Sequence, residues 1–89
     1  MNYINSYYPK AGEYDNARFS ITWLDENLIH FRVIRKSQVD HVEMTFVNTT
    51  GPFVVIVHLC NGTKIHFPMN ESRQRTEEFM VSICDLVRV

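Results

Sequence analysis

The sequence predicts an α+β fold, a bent antiparallel sheet of about five strands closed by one C-terminal helix, and three observations predict it. Apolar and polar residues alternate through most of residues 19–69, as they do in strands with one buried face. Asn61-Gly62 interrupts that run, and Asn-Gly between apolar stretches marks a hairpin. The last stretch changes period: Phe79, Met80, Ile83 and Val87, with Leu86 beside them, recur at helical spacing. Strands come first and the helix last, without the strand–helix alternation of parallel sheets.

Taken in order, residues 1–17 read as a tyrosine-rich N-terminal arm, and residues 18–89 as a single sheet-plus-helix domain. All four tyrosines, Tyr3, Tyr7, Tyr8 and Tyr14, fall in the arm among polar residues with little periodicity. The alternative is that the arm folds back as an extra strand. From Arg18 the pattern turns strand-like, with Phe19, Ile21 and Trp23 alternating with Ser20 and Thr22. Asp25-Glu26-Asn27 makes a turn, and Ile29, Phe31 and Val33 then alternate with His30 and Arg32. This second strand is expected to pair antiparallel with the first and to bury its apolar set. Val42, Met44 and Phe46 alternate with His41, Glu43 and Thr45 in a third strand, ended by the turn-forming run Asn48 to Pro52.

The hairpin formed by residues 53–60 and 63–69 allows two registers. A two-residue loop would mix polar and apolar side chains on both faces. A three-residue loop, Cys60-Asn61-Gly62 with a left-handed glycine, pairs Val57 with Ile65 and Val55 with Phe67. One face then becomes wholly apolar (Phe53, Val55, Val57, Leu59, Ile65, Phe67, Met69), and burial selects this form. Pro68 closes the last strand. Asn70 is the expected N-cap of a helix reaching about Val87, with Glu71–Arg75 and Arg73–Glu77 as surface pairs at the i, i+4 spacing.

With 89 residues the chain holds one domain. Its net charge of −1, spread along the sequence, gives no field to draw it onto nucleic acid or an anionic membrane. The longest apolar run, from Phe53 to Leu59, is interrupted by His58 and too short to span a bilayer, so no transmembrane segment is expected. Two cysteines without a C-x-x-C pair, and no basic-headed apolar leader, favour the cytoplasm.

Residues 34–87 resemble the PH-like (pleckstrin-homology and GRAM-type) domains. The likeness rests on the break Arg35-Lys36-Ser37 before the strand Val39 to Phe46, the hairpin Val54 to Leu59 over Asn61-Gly62, the ending Lys64-Ile65-His66-Phe67-Pro68, and the closing helix with Phe79. It implies a strongly bent sheet plugged by the helix, and binding of lipids, peptides or proteins. It also implies an anion site near the start of the sheet, for which Arg32, Arg35 and Lys36, the one basic cluster, are the candidates. The plainer reading of these three charges is a solvated strand end.

Four histidines raise the question of a metal. His58 and His66 share a face on adjacent strands, but no H-x-x-x-H spacing or cysteine pair accompanies them, and neither a metal site nor a cofactor is expected. Cys84 belongs to the buried helical stripe and Cys60 to a hairpin loop, with nothing to lower a thiol pKa. No catalytic residue is expected, and the chain does not read as an enzyme.

The expectation is a small non-catalytic protein-interaction module. Its partner is another protein or a peptide, met through Tyr3, Tyr7, Tyr8, Tyr14, His58 and His66, because tyrosine gives large contact area at low entropic cost. Self-association is compatible with the same surfaces. Such compactness suits a phage or mobile-element protein that inhibits a host factor by binding. The alternative is an anion or lipid-headgroup binder.

Overall fold

The computed structural model describes residues 9–88. Six strands precede one helix: β1 (Lys10–Glu13), β2 (Arg18–Asp25), β3 (Leu28–Arg35), β4 (Val39–Phe46), β5 (Phe53–Leu59), β6 (Lys64–Met69) and α1 (Arg73–Val87). They form two separate three-stranded antiparallel sheets, β1-β2-β3 and β4-β5-β6. The single five-stranded sheet expected from the sequence is therefore incorrect. The chain turns through a 3-10 segment, Lys36–Gln38, between β3 and β4, and these two strands belong to different sheets instead of extending one. β1 supplies a sixth strand, with Ala11 opposite Ile21 and Glu13 opposite Phe19. It lies within the stretch read as an arm, whereas Tyr3, Tyr7 and Tyr8 lie outside the described residues.

Both sheets contribute their inner faces to one core. Phe19, Ile21 and Ile34 come from the first sheet, Phe53, Val55, Val57, Ile65, Phe67 and Met69 from the second, and Phe79 and Ile83 from α1. Phe67 joins the three layers. Its ring meets Trp23 edge-on at 4.9 Å and Phe79 at 5.6 Å, the T-shaped arrangement that ring quadrupoles favour.

The β5–β6 hairpin takes the three-residue loop. Val57 pairs with Ile65 and Val55 with Phe67; the Leu59 amide donates to the Thr63 carbonyl at 2.8 Å, and Gly62 has φ +91°. All members of the expected apolar face are buried except Leu59, which is half-buried.

The β2–β3 hairpin turns differently. Its loop is only Glu26-Asn27, with both residues at positive φ (51° and 68°) and Asp25 opposite Leu28. Two left-handed residues make the mirror-image turn that matches strand twist. A two-residue loop shifts pairing by one position from the three-residue Asp25-Glu26-Asn27 turn, and such a slip exchanges the faces of the strand. His30, Arg32 and Ile34 therefore share the inner face with Trp23, Ile21 and Phe19, while Ile29, Phe31 and Val33 face outward.

Helix α1 begins at Arg73, two residues later than an Asn70 cap would place it. Ser72 is the N-cap, its Oγ accepting from the Arg75 amide at 3.3 Å, a geometry that satisfies one of the orphan donors of the first turn. The Arg73–Glu77 pair closes at 3.0 Å and Glu71–Arg75 at 3.8 Å. Thr76, fully buried beside the core stripe, donates its hydroxyl to the Ser72 carbonyl at 2.9 Å.

Candidate functional site

The outer face of β3 exposes large apolar side chains. Ile29 and Phe31, on this face, are 64% and 61% exposed, and Leu28, beside the turn on the opposite face, is 63% exposed. Scattered exposed apolar residues are ordinary on protein surfaces; Ile29 and Phe31, neighbours on one face of a strand, form a patch. Half-buried Leu24 lies directly opposite Ile29 and extends it. β3 is also the last strand of its sheet, and among the described residues no strand pairs with its other edge. One edge of this eight-residue strand thus runs without a strand partner beside the apolar patch, the combination that templates another strand.

At the C-terminal end of the same strand lies a cleft of about 590 Å³. Arg18, Arg32 and Arg35 line it with Gln38, over apolar surface from Val33, Ile34, Leu59 and Ile65. Arg18 is engaged by Asp15, whose carboxylate also accepts from the Arg18 amide at 2.8 Å and from its Nε at 2.9 Å. The Arg18 hydrogen bond is the main cause holding the Asp15 carboxyl below its ordinary pKa. Lys36, the third member of the expected basic cluster, is bound to Glu13 at 3.1 Å. Arg32 and Arg35 have no ion-pair partner among the described residues.

The structure disperses the other expected site residues. Tyr14 is 52% exposed at the end of β1, its ring 5.2 Å beneath the Arg18 guanidinium. His66 is exposed on β6, across from Ile56. His58 lies on the same face, its β6 partner Lys64 two residues before His66, and it stacks on His41, its register partner on β4, with ring centroids 4.1 Å apart. His30 is in the other sheet, stacked on Trp23 at 5.0 Å.

Sequence reasoning missed both the patch and the His41–His58 pair. The patch was hidden because its alternation is that of a buried face, and only the length of the β2–β3 loop decides where that face points. The pair was hidden by a bulge between Val39 and His41, which moves β4 by one residue against β5. Among the described residues no helix is long and apolar enough to cross a membrane. No family model, no curated protein and no solved structure matches the chain.

Proposed function

We propose that this protein is a protein-interaction module that captures an extended segment of a partner as an added strand along the free edge of β3. One observation carries this reading: the tight Glu26-Asn27 turn fixes a register that leaves Ile29 and Phe31 exposed on an edge strand whose other side, among the described residues, pairs with no strand. Strand addition draws affinity from main-chain hydrogen bonds and specificity from alternate side chains. Here those alternate positions differ in chemistry. Partner residues beside Ile29, Phe31 and Val33 meet an apolar face, those on the other side meet His30 and Arg32, and the strand ends at the arginine-lined cleft. The segment that fits alternates apolar and acidic residues.

The basic cluster enters this reading as part of the peptide site. Two unpaired guanidiniums at a strand end attract carboxylates with a strength that falls as salt rises, while the apolar contacts persist.

Selection from a library of random peptides displayed on the full chain tests the proposal. Enriched sequences should alternate apolar with acidic positions, should lose binding to Phe31→Asp, and should prefer lysine over acidic residues against Arg32→Glu. Enrichment unaffected by Phe31→Asp removes the β3 edge from the site. A concentration-dependent dimer abolished by Phe31→Asp would instead assign the edge to a second copy of this chain.

A further inference from the structure

The outer face of the second sheet gathers a set of metal-ligating side chains. β4 and β5 place His41 directly across from His58, and Glu43 lies two residues beyond His41 on the same face. The potential ligand atoms of these three residues all lie within 4.8 Å of one another. The His58 Nε2 contacts a Glu43 carboxylate oxygen directly, and the two imidazole planes are only 11° from parallel.

A second observation makes this more than a surface cluster. The bulge at Asp40 sets that residue beside His41, and its carboxylate lies 2.7 Å from the His41 Nδ1. A carboxylate on one ring nitrogen fixes the tautomer, leaving Nε2 as the lone-pair donor; metal-bound histidines commonly have such a partner.

We propose that His41, Glu43 and His58 form a binding site for one divalent transition-metal ion of the zinc class, with Asp40 as the residue that positions His41. Two imidazoles and a carboxylate are borderline-to-hard donors suited to Zn²⁺ or Co²⁺ and poorly suited to Mg²⁺ or Ca²⁺, which take oxygen ligands. Tetrahedral zinc with bonds of ~2.0–2.1 Å needs ligand atoms about 3.3 Å apart. His41 and Glu43 are the more exposed members, their side chains 54% and 43% accessible, so they have room to rotate inward. His58, at 15%, is the fixed point of the site. Three protein donors leave a fourth position for water or a donor from the bound partner.

The site shares no residue with the β3 edge, so the test is independent of peptide capture. The chelator-treated full chain is titrated with Zn²⁺ by calorimetry and with Co²⁺ by absorption at neutral pH, alongside His41→Asn, Glu43→Gln, Asp40→Asn and Cys60→Ser. One ion per chain is expected, with a tetrahedral cobalt spectrum and no thiolate charge-transfer band. His41→Asn and Glu43→Gln should each weaken binding by tenfold or more, and Asp40→Asn by about 10–100-fold, while Cys60→Ser leaves it unchanged. Circular dichroism of each variant separates lost ligands from lost folding, and His41, being exposed, is replaceable without loss of the core. Absence of uptake by the wild-type chain overturns the proposal. So does uptake that persists in His41→Asn, or a thiolate band that disappears in Cys60→Ser.

Discussion

Trp23 pairs across the β2–β3 ladder with His30, and their rings stack at 5.0 Å with planes 15° apart. This contact belongs to one register alone. Moving β3 by one residue would set Ile29 opposite Trp23 and turn Phe31 inward, so the stack and the exposed patch are two consequences of the same turn.

The register predicts opposite outcomes for two isoleucines five residues apart. Ile34 is 5% exposed and packs in the core, whereas Ile29 is 64% exposed. Ile34→Ala should cost about 2–5 kcal/mol, and Ile29→Ala about 0.5 kcal/mol or less. Urea denaturation of both variants measures this, and a larger loss at Ile29 would show that the patch faces inward.

The turn can be improved. Glu26 holds φ 51° without being glycine, and a left-handed backbone costs a residue with a Cβ about 1–2 kcal/mol. Glu26→Gly should recover part of that, raising the denaturation midpoint while leaving the Trp23 fluorescence environment unchanged. A lower midpoint would mean that Glu26 is held by something other than the turn.

How much of this was legible from sequence depended on the turns more than on the strands. Alternation located β2 to β6 and the helical stripe of Phe79 and Ile83. The β5–β6 register followed from side-chain chemistry, because only the bulged loop makes one face wholly apolar. For β2–β3 the same reasoning fails. Maximal burial favours Ile29, Phe31 and Val33 inward, yet the strand turns them out. The His41–Glu43–His58 cluster was half visible, since His41 and Glu43 share a face by simple alternation; His58 joined them only through the bulge at Asp40. The two-sheet division was not legible, because nothing in the residues between β3 and β4 distinguishes a hairpin from a corner.

Helix α1 gives a separate test of local chemistry. Ser72 caps it by accepting from the Arg75 amide, so Ser72→Ala should cost about 1 kcal/mol, and Asn70→Ala almost nothing. Comparing the two by thermal denaturation identifies the cap. An equal loss at Asn70 would mean that the helix begins earlier.

Acid should loosen the β1–β2 connection before the core. Asp15 is held below its ordinary pKa chiefly by the Arg18 side chain, so its ionised form is favoured more in the folded chain than in the unfolded one. A lowered carboxyl contributes stability that is whole above the ordinary carboxylate range and is lost as pH falls through that range to the folded value. Asp15→Asn should therefore flatten the acid limb of the stability–pH curve and leave the neutral-to-alkaline limb unchanged in slope. An unaltered acid limb would show that the pair is too well solvated to matter.

The two glycines at positive φ separate backbone strain from crowding. Gly62, at φ +91°, has nothing within 4 Å of where a Cβ would stand, so Gly62→Ala should cost only the left-handed backbone penalty, about 1–2 kcal/mol. Gly51, at φ +100°, would set its Cβ 3.0 Å from the buried Phe53 ring, adding steric conflict to the same penalty. Gly51→Ala should be the more damaging by about 1 kcal/mol or more, read as the difference in denaturant midpoints. Because Phe53 is 3% exposed and sits among core residues, its ring cannot swing aside without opening the interior. Equal losses for the two variants would place that ring elsewhere, and with it the seating of the Asn48–Gly51 turn against the second sheet.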